Sequence, residues 1–65
     1  MTTWQSRIIH LRRAVLREDV RIFGARLGVS GRTVEGWECA RTTPSPSARL
    51  LIERLERKHQ RREVA

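Results

Sequence analysis

Tyrosine is absent from this chain of 65 residues, phenylalanine and cysteine occur once each, and tryptophan occurs twice. With Trp4, Phe23 and Trp37 as the only aromatics, the core must be small and mostly aliphatic. A chain of this length also lies near the lower limit for folding on its own core. The lone Cys39 rules out an intrachain disulfide, and no cysteine or histidine cluster has metal-site spacing, so neither a metal nor another cofactor is expected. There is no signal peptide and no apolar run long enough to cross a bilayer, which points to a cytoplasmic chain. Internal repeats, low-complexity blocks and linkers are missing as well, leaving a single domain over residues 1–65. The sequence also lacks a carboxylate pair, a nucleophile–base pairing and a phosphate-cradling glycine loop. A chain this short has little room for an enclosed pocket, so an enzyme is not expected.

Negative charge is scarce too. Seven Asp and Glu stand against 14 Lys and Arg, giving +7 at pH 7, and Lys58 is the only cation that is not arginine. Such an excess on so small a body favours a polyanionic partner, nucleic acid or an anionic membrane surface, over a basic surface that is merely solvated. The composition, 38% hydrophobic and 32% charged, is globular rather than disordered.

What the sequence does contain is helical periodicity, in four segments and with no strand pattern. Trp4, Ile8, Leu11 and Val15 form one stripe on a helix from about Thr3 to Leu16, capped by Thr2 or Thr3. A polar joint, Arg17-Glu18-Asp19, follows, and Asp19 caps a second helix carrying Val20, Phe23, Gly24 and Leu27. That helix ends at Gly28, where a left-handed backbone suits glycine. Ser30 caps a third helix, from Gly31 to Cys39 or Ala40, with Val34 and Trp37 inward. After the loop Arg41-Thr42-Thr43-Pro44, Ser45-Pro46 is a cap followed by proline at the first helical position. The fourth helix buries Ala48, Leu51, Ile52 and Leu55. Beyond Leu55 the apolar stripe stops, so the helix is expected to fray, with residues 58–65 a mobile basic tail; Arg57, Lys58, Arg61 and Arg62 are solvated and add only diffuse attraction. Because the stripe of the fourth helix is needed to close the core, a membrane-surface role is disfavoured and no membrane partner is expected.

Gly24, Gly28 and Val34 belong together. Two short helices crossing steeply through a tight turn need a small residue at the crossing, glycine at the turn and an aliphatic residue on the second helix. With Val20, Phe23 and Leu27 before them and Trp37 after, the pattern covers residues 19–40. It resembles the helix-turn-helix of the Cro and phage-repressor type, the lambda-repressor-like or XRE family, from Asp19 to about Leu55. TVEGWE, Pro44 and the PSARLLIERL helix are most similar to short HigA-type antitoxins and small phage autorepressors. The resemblance implies an all-α DNA-binding domain of four or five helices in a bacterial or phage-infected cell. Three positions depart from the family: Val20 replaces a phosphate-holding glutamine, Glu18 replaces an apolar residue, and Ala40 replaces the glycine that ends the third helix. The joint before Val20 is therefore expected to be one residue longer than usual, and the end of the third helix less sharp.

In that geometry the third helix enters the major groove and presents Gly31, Arg32, Thr33, Glu35 and Gly36 outward. Arg32 carries the fork that pairs with guanine O6 and N7. Thr33 offers a methyl to thymine or a hydroxyl to phosphate. Glu35 either accepts from a cytosine amino group or holds Arg32 in place, the second being favoured. Gly31 and Gly36 would keep the surface bare so that the helix approaches the bases closely, the alternative being that each avoids a clash with another helix or subunit. Phosphate contacts are expected from Ser30, Arg41, Thr42 and Thr43, from Arg17 and Arg21, and from Arg49 near the fourth helix. The resemblance further implies an ion pair between Glu38 and Arg12, or Arg13 if the joint is not longer, which would also turn the arginine toward a phosphate. Cys39 is read as a small, half-buried packing residue, and His10 and His59 are assigned no role. Leu50, Ile9 and Leu16 are apolar residues left beside the stripes, and a homodimer interface is expected around Leu50 and Arg54, with Trp4 contributing if the N-terminus packs across. The expected partner is palindromic double-stranded operator DNA, with the chain a repressor of its own operon. The rival is an antitoxin or adaptor whose main partner is a toxin or another protein, and Arg32 discriminates, since an interaction module has no need of an arginine fork there.

Overall fold

The computed structural model describes residues 3–64, with side chains through His59; Thr2, the alternative first cap, and the side chains of Arg61 and Arg62 lie outside the described residues. Four helices and no strand are found among them: α1 (Trp4–Ile9), which runs directly into a π-helical segment (His10–Leu16), α2 (Val20–Leu27), α3 (Gly31–Glu38) and α4 (Pro46–Val64). All four start with the same device. The side-chain oxygens of Thr3, Asp19, Ser30 and Ser45 accept from the backbone N–H three residues on, at 3.1, 2.9, 3.2 and 3.3 Å. Each satisfies a donor that the helix cannot, worth about 1 kcal/mol per cap.

The first helix changes its winding before the joint. From His10 the winding widens, and the helix closes with the Arg17 N–H donating to the Arg12 carbonyl five residues back. Such a turn holds more residues than an α-helical one. The Arg17 backbone then turns left-handed (φ 54°), which stops the helix and releases the Arg17–Asp19 joint.

The core is a cluster of Ile8, Leu11, Phe23, Leu27, Val34, Trp37, Ala48 and Ile52, with Trp4, Val15, Leu16, Val20, Val29, Leu51 and Leu55 packed around it. Every stripe read from the sequence contributes to it. Leu16, expected to be left over, packs against this cluster instead, because the π-helical turn carries it to the inner side. Ile9 is half-buried. The radius of gyration, 11.1 Å, is close to that of a compact chain of this length, about 11 Å.

The fourth helix departs most from expectation, since it does not end near Leu55 but continues to Val64. The segment past Leu55 is rich in Glu, Arg, Lys and Gln, which favour helix without needing a buried face. Its start is also held from outside: Arg7 on α1 donates to both oxygens of Glu56, at 3.1 and 2.6 Å, while its guanidinium lies 4.0 Å from the Trp4 ring centroid. The hydrogen-bonded carboxylate raises the Arg7 pKa above its usual value, and burial only partly opposes this.

Candidate nucleic-acid interface

The α2–turn–α3 unit is built around one close approach. A Cβ on Gly24 would stand 2.6 Å from the Val29 carbonyl oxygen and 3.1 Å from the Ser30 carbonyl, so only glycine lets the turn fold back onto α2. The Val29 N–H donates to the Gly24 carbonyl at 2.9 Å, and Gly28 supplies the left-handed residue between them (φ 72°). Val34 and Trp37 then seat α3 in the core, which leaves Arg32, Thr33 and Glu35 exposed on its outer side.

Gly31 does not belong to that outer surface. It is half-buried, and a Cβ there would lie 3.1 Å from Arg21 Cγ and 3.2 Å from both Arg21 N and Val20 Cγ2. Its missing side chain has an intramolecular reason: it lets the start of α3 approach the start of α2. Gly36 is half-buried as well, but the only near neighbour of a Cβ there would be the exposed Thr42 hydroxyl at 3.2 Å. Of the two glycines, Gly36 alone leaves bare ground beside Arg32.

Thr33 is partly engaged already, its hydroxyl 3.0 Å from that of the capping Ser30. Among the described residues no hydrogen bond or ion pair joins Arg32 to Glu35, so the favoured role of Glu35 as a holder of Arg32 has no contact behind it. Arg41, Thr42 and Thr43 are exposed just past α3, and Arg17 and Arg21 are exposed around the start of α2. Arg49 is drawn away instead: it is half-buried, with its guanidinium 5.5 Å from the Trp4 ring centroid.

The end of α3 is sharp without a glycine. The Ala40 N–H donates to Trp37 and the Arg41 N–H to Gly36, with Ala40 itself left-handed at φ 58°. This hydrogen-bond pattern stops the helix, at the expense of placing a Cβ in a region that glycine prefers. Cys39, expected to be half-buried, is exposed because this turn swings it outward.

Glu38 is held from two directions. Arg12, 8% exposed, donates to both its oxygens, while Gln5 Nε2 donates to its carbonyl at 2.8 Å, a contact with no signal in the sequence. Arg13 stays outside, with its guanidinium 4.0 Å from Glu38 Oε1 and two-thirds exposed. The Glu38 carboxylate raises the Arg12 pKa, against the opposing effect of burial. Arg12, Arg13, Arg32 and Arg41 all line a shallow groove of about 440 Å³, together with Glu35, Gly36 and Cys39.

A charge pattern follows from these contacts. Arg7, Arg12 and Arg26 are paired with Glu56, Glu38 and Glu18, and Arg26 holds the Glu18 carboxyl below the usual carboxylate range. Among the described residues, Arg17, Arg21, Arg32 and Arg41 make no ion pair. All four lie on α3 or beside its ends and the start of α2. No known protein family, curated protein or solved structure matches this chain.

Proposed function

We propose that this chain is a lambda-repressor-like helix-turn-helix protein, a sequence-specific transcriptional repressor that binds an inverted-repeat operator as a homodimer and autoregulates its own operon. The observation that carries the reading is a cluster of exposed arginines without ion-pair partners among the described residues: Arg17, Arg21, Arg32 and Arg41, on α3, beside its ends and at the start of α2. Such arginines around the exposed side of a helix suit a duplex, whose phosphates line both sides of the major groove.

On this reading α3 lies in the major groove, Arg32 pairs with a guanine, and the bare surface at Gly36 lets the helix approach closely. Glu35, without an ion-pair partner among the described residues, faces a cytosine amino group. Arg41, Thr42 and Thr43 hold one backbone, and Arg17 and Arg21 hold the other. Few base-reading side chains on one helix select poorly among a genome's competing sites, and two copies about one helical turn apart double the readout. Leu50, 51% exposed on α4, is the apolar ground for that pairing.

The test is a mobility shift and footprint of the purified protein on the DNA upstream of its own gene. A protected palindrome, at concentrations that leave random DNA free, is the expected result. Equal retardation of both DNAs would overturn sequence-specific repression.

A further inference from the structure

A second groove, on the α2–α4 side, shares no lining residue with the groove at α3. Its floor is apolar, formed by Leu27, Leu51 and Leu55, and its rim is cationic, formed by Arg26, Arg54 and Lys58, around a volume of about 330 Å³. Ile22, 52% exposed, lies one turn from Arg26 on the same face of α2. Glu18 offsets the charge of Arg26, whereas Arg54 and Lys58 make no ion pair among the described residues.

We propose that this groove docks an acidic, amphipathic helical segment of another protein. Such a helix places apolar anchors at i, i+3 or i+4, and i+7 into a floor of this kind, while its flanking carboxylates meet the rim. A nucleic-acid backbone would use the cations but leave the leucine floor empty. A second copy of this chain does not fit. Glu18, Glu38, Glu53 and Glu56 lie against Arg26, Arg12 and Arg7, and Asp19 caps α2, so only Glu35, on the α3 face, remains among the described carboxylates. Two copies meeting through the groove would also bring Arg54 and Lys58 onto their own counterparts.

The experiment uses a labelled helical peptide with leucines at i, i+4 and i+7 flanked by glutamates, titrated against the full chain by fluorescence anisotropy. A twin peptide carries serines for the leucines. The acidic leucine peptide should bind, weaken with salt, and weaken roughly tenfold or more when Arg54→Glu and Lys58→Glu are combined. The serine twin should lose most of the binding, and Arg41→Glu, on the α3 face, should change little. Equal binding of the two peptides would overturn the proposal, as would a loss on Arg41→Glu matching that of the double variant. Circular dichroism checks that each variant folds. Operator binding, measured separately, keeps failure here distinct from failure of the repressor reading.

Discussion

Arg12 grips Glu38 through two parallel hydrogen bonds, Nε to Oε2 at 2.5 Å and Nη2 to Oε1 at 2.8 Å, while its remaining Nη1 donates to the Glu18 carbonyl at 2.9 Å. One side chain thereby ties together the π-helical end of the first helix, the joint after it and the last residue of α3. It also offsets a carboxylate placed where the α3 dipole is unfavourable to negative charge.

Both side chains of this pair are 10% exposed, so removing one partner strands a nearly buried charge. Arg12→Met and Glu38→Leu should each destabilise by about 3 kcal/mol or more, and the double variant by much less than their sum. Urea unfolding of the four proteins in the cycle checks this. Additive losses would mean that the two residues act independently.

Glycine substitutions should separate sharply. Gly24→Ala forces a Cβ against the Val29 carbonyl and should cost several kcal/mol or prevent folding, since the turn backbone cannot give way cheaply. Gly36→Ala meets only the movable Thr42 side chain and should be neutral or gain up to about 1 kcal/mol from helix propensity. Thermal melts of the two variants provide the comparison. A fall in operator affinity on Gly36→Gln, with stability kept, is expected if the bare surface serves docking.

Ala40 offers a test in the opposite direction. Its left-handed backbone strains an L-residue by about 1–2 kcal/mol. Glycine relieves that strain and loses part of the gain to a freer unfolded chain. Ala40→Gly should therefore stabilise the fold by about 0.5–1 kcal/mol, read as a rise in the urea midpoint with an unchanged slope.

For the proposed DNA contacts, the expected losses differ in kind. Arg32→Ala should weaken operator binding by about 1–3 kcal/mol while leaving random DNA little affected. Arg41→Ala should weaken both about equally and reduce the salt slope by about one. Competition titrations at several salt concentrations measure both quantities, and equal losses for Arg32→Ala on the two DNAs would make it a phosphate contact only.

The sequence by itself determined whatever is settled within a few residues. The capping side chains of Thr3, Asp19, Ser30 and Ser45 mark four helix starts, and the apolar stripes mark which side of each helix turns inward. Gly24 and Gly28 mark the tight turn between α2 and α3. Tertiary structure decided what depends on segments distant along the chain. The wider winding after His10 has no signal in the periodicity, and the packed helices bury Arg12 rather than Arg13 against Glu38. Gly31 reads as a groove-facing position until the start of α2 is set against it. The end of α4 follows local helix propensity and the hold of Arg7 on Glu56 rather than the apolar stripe, so the loss of the stripe misplaced it. The exposure of Ile22 and the cationic rim on the α2–α4 side arise only when two helices are packed, because periodicity assigns a residue to a side of its own helix but not to the neighbour that covers it.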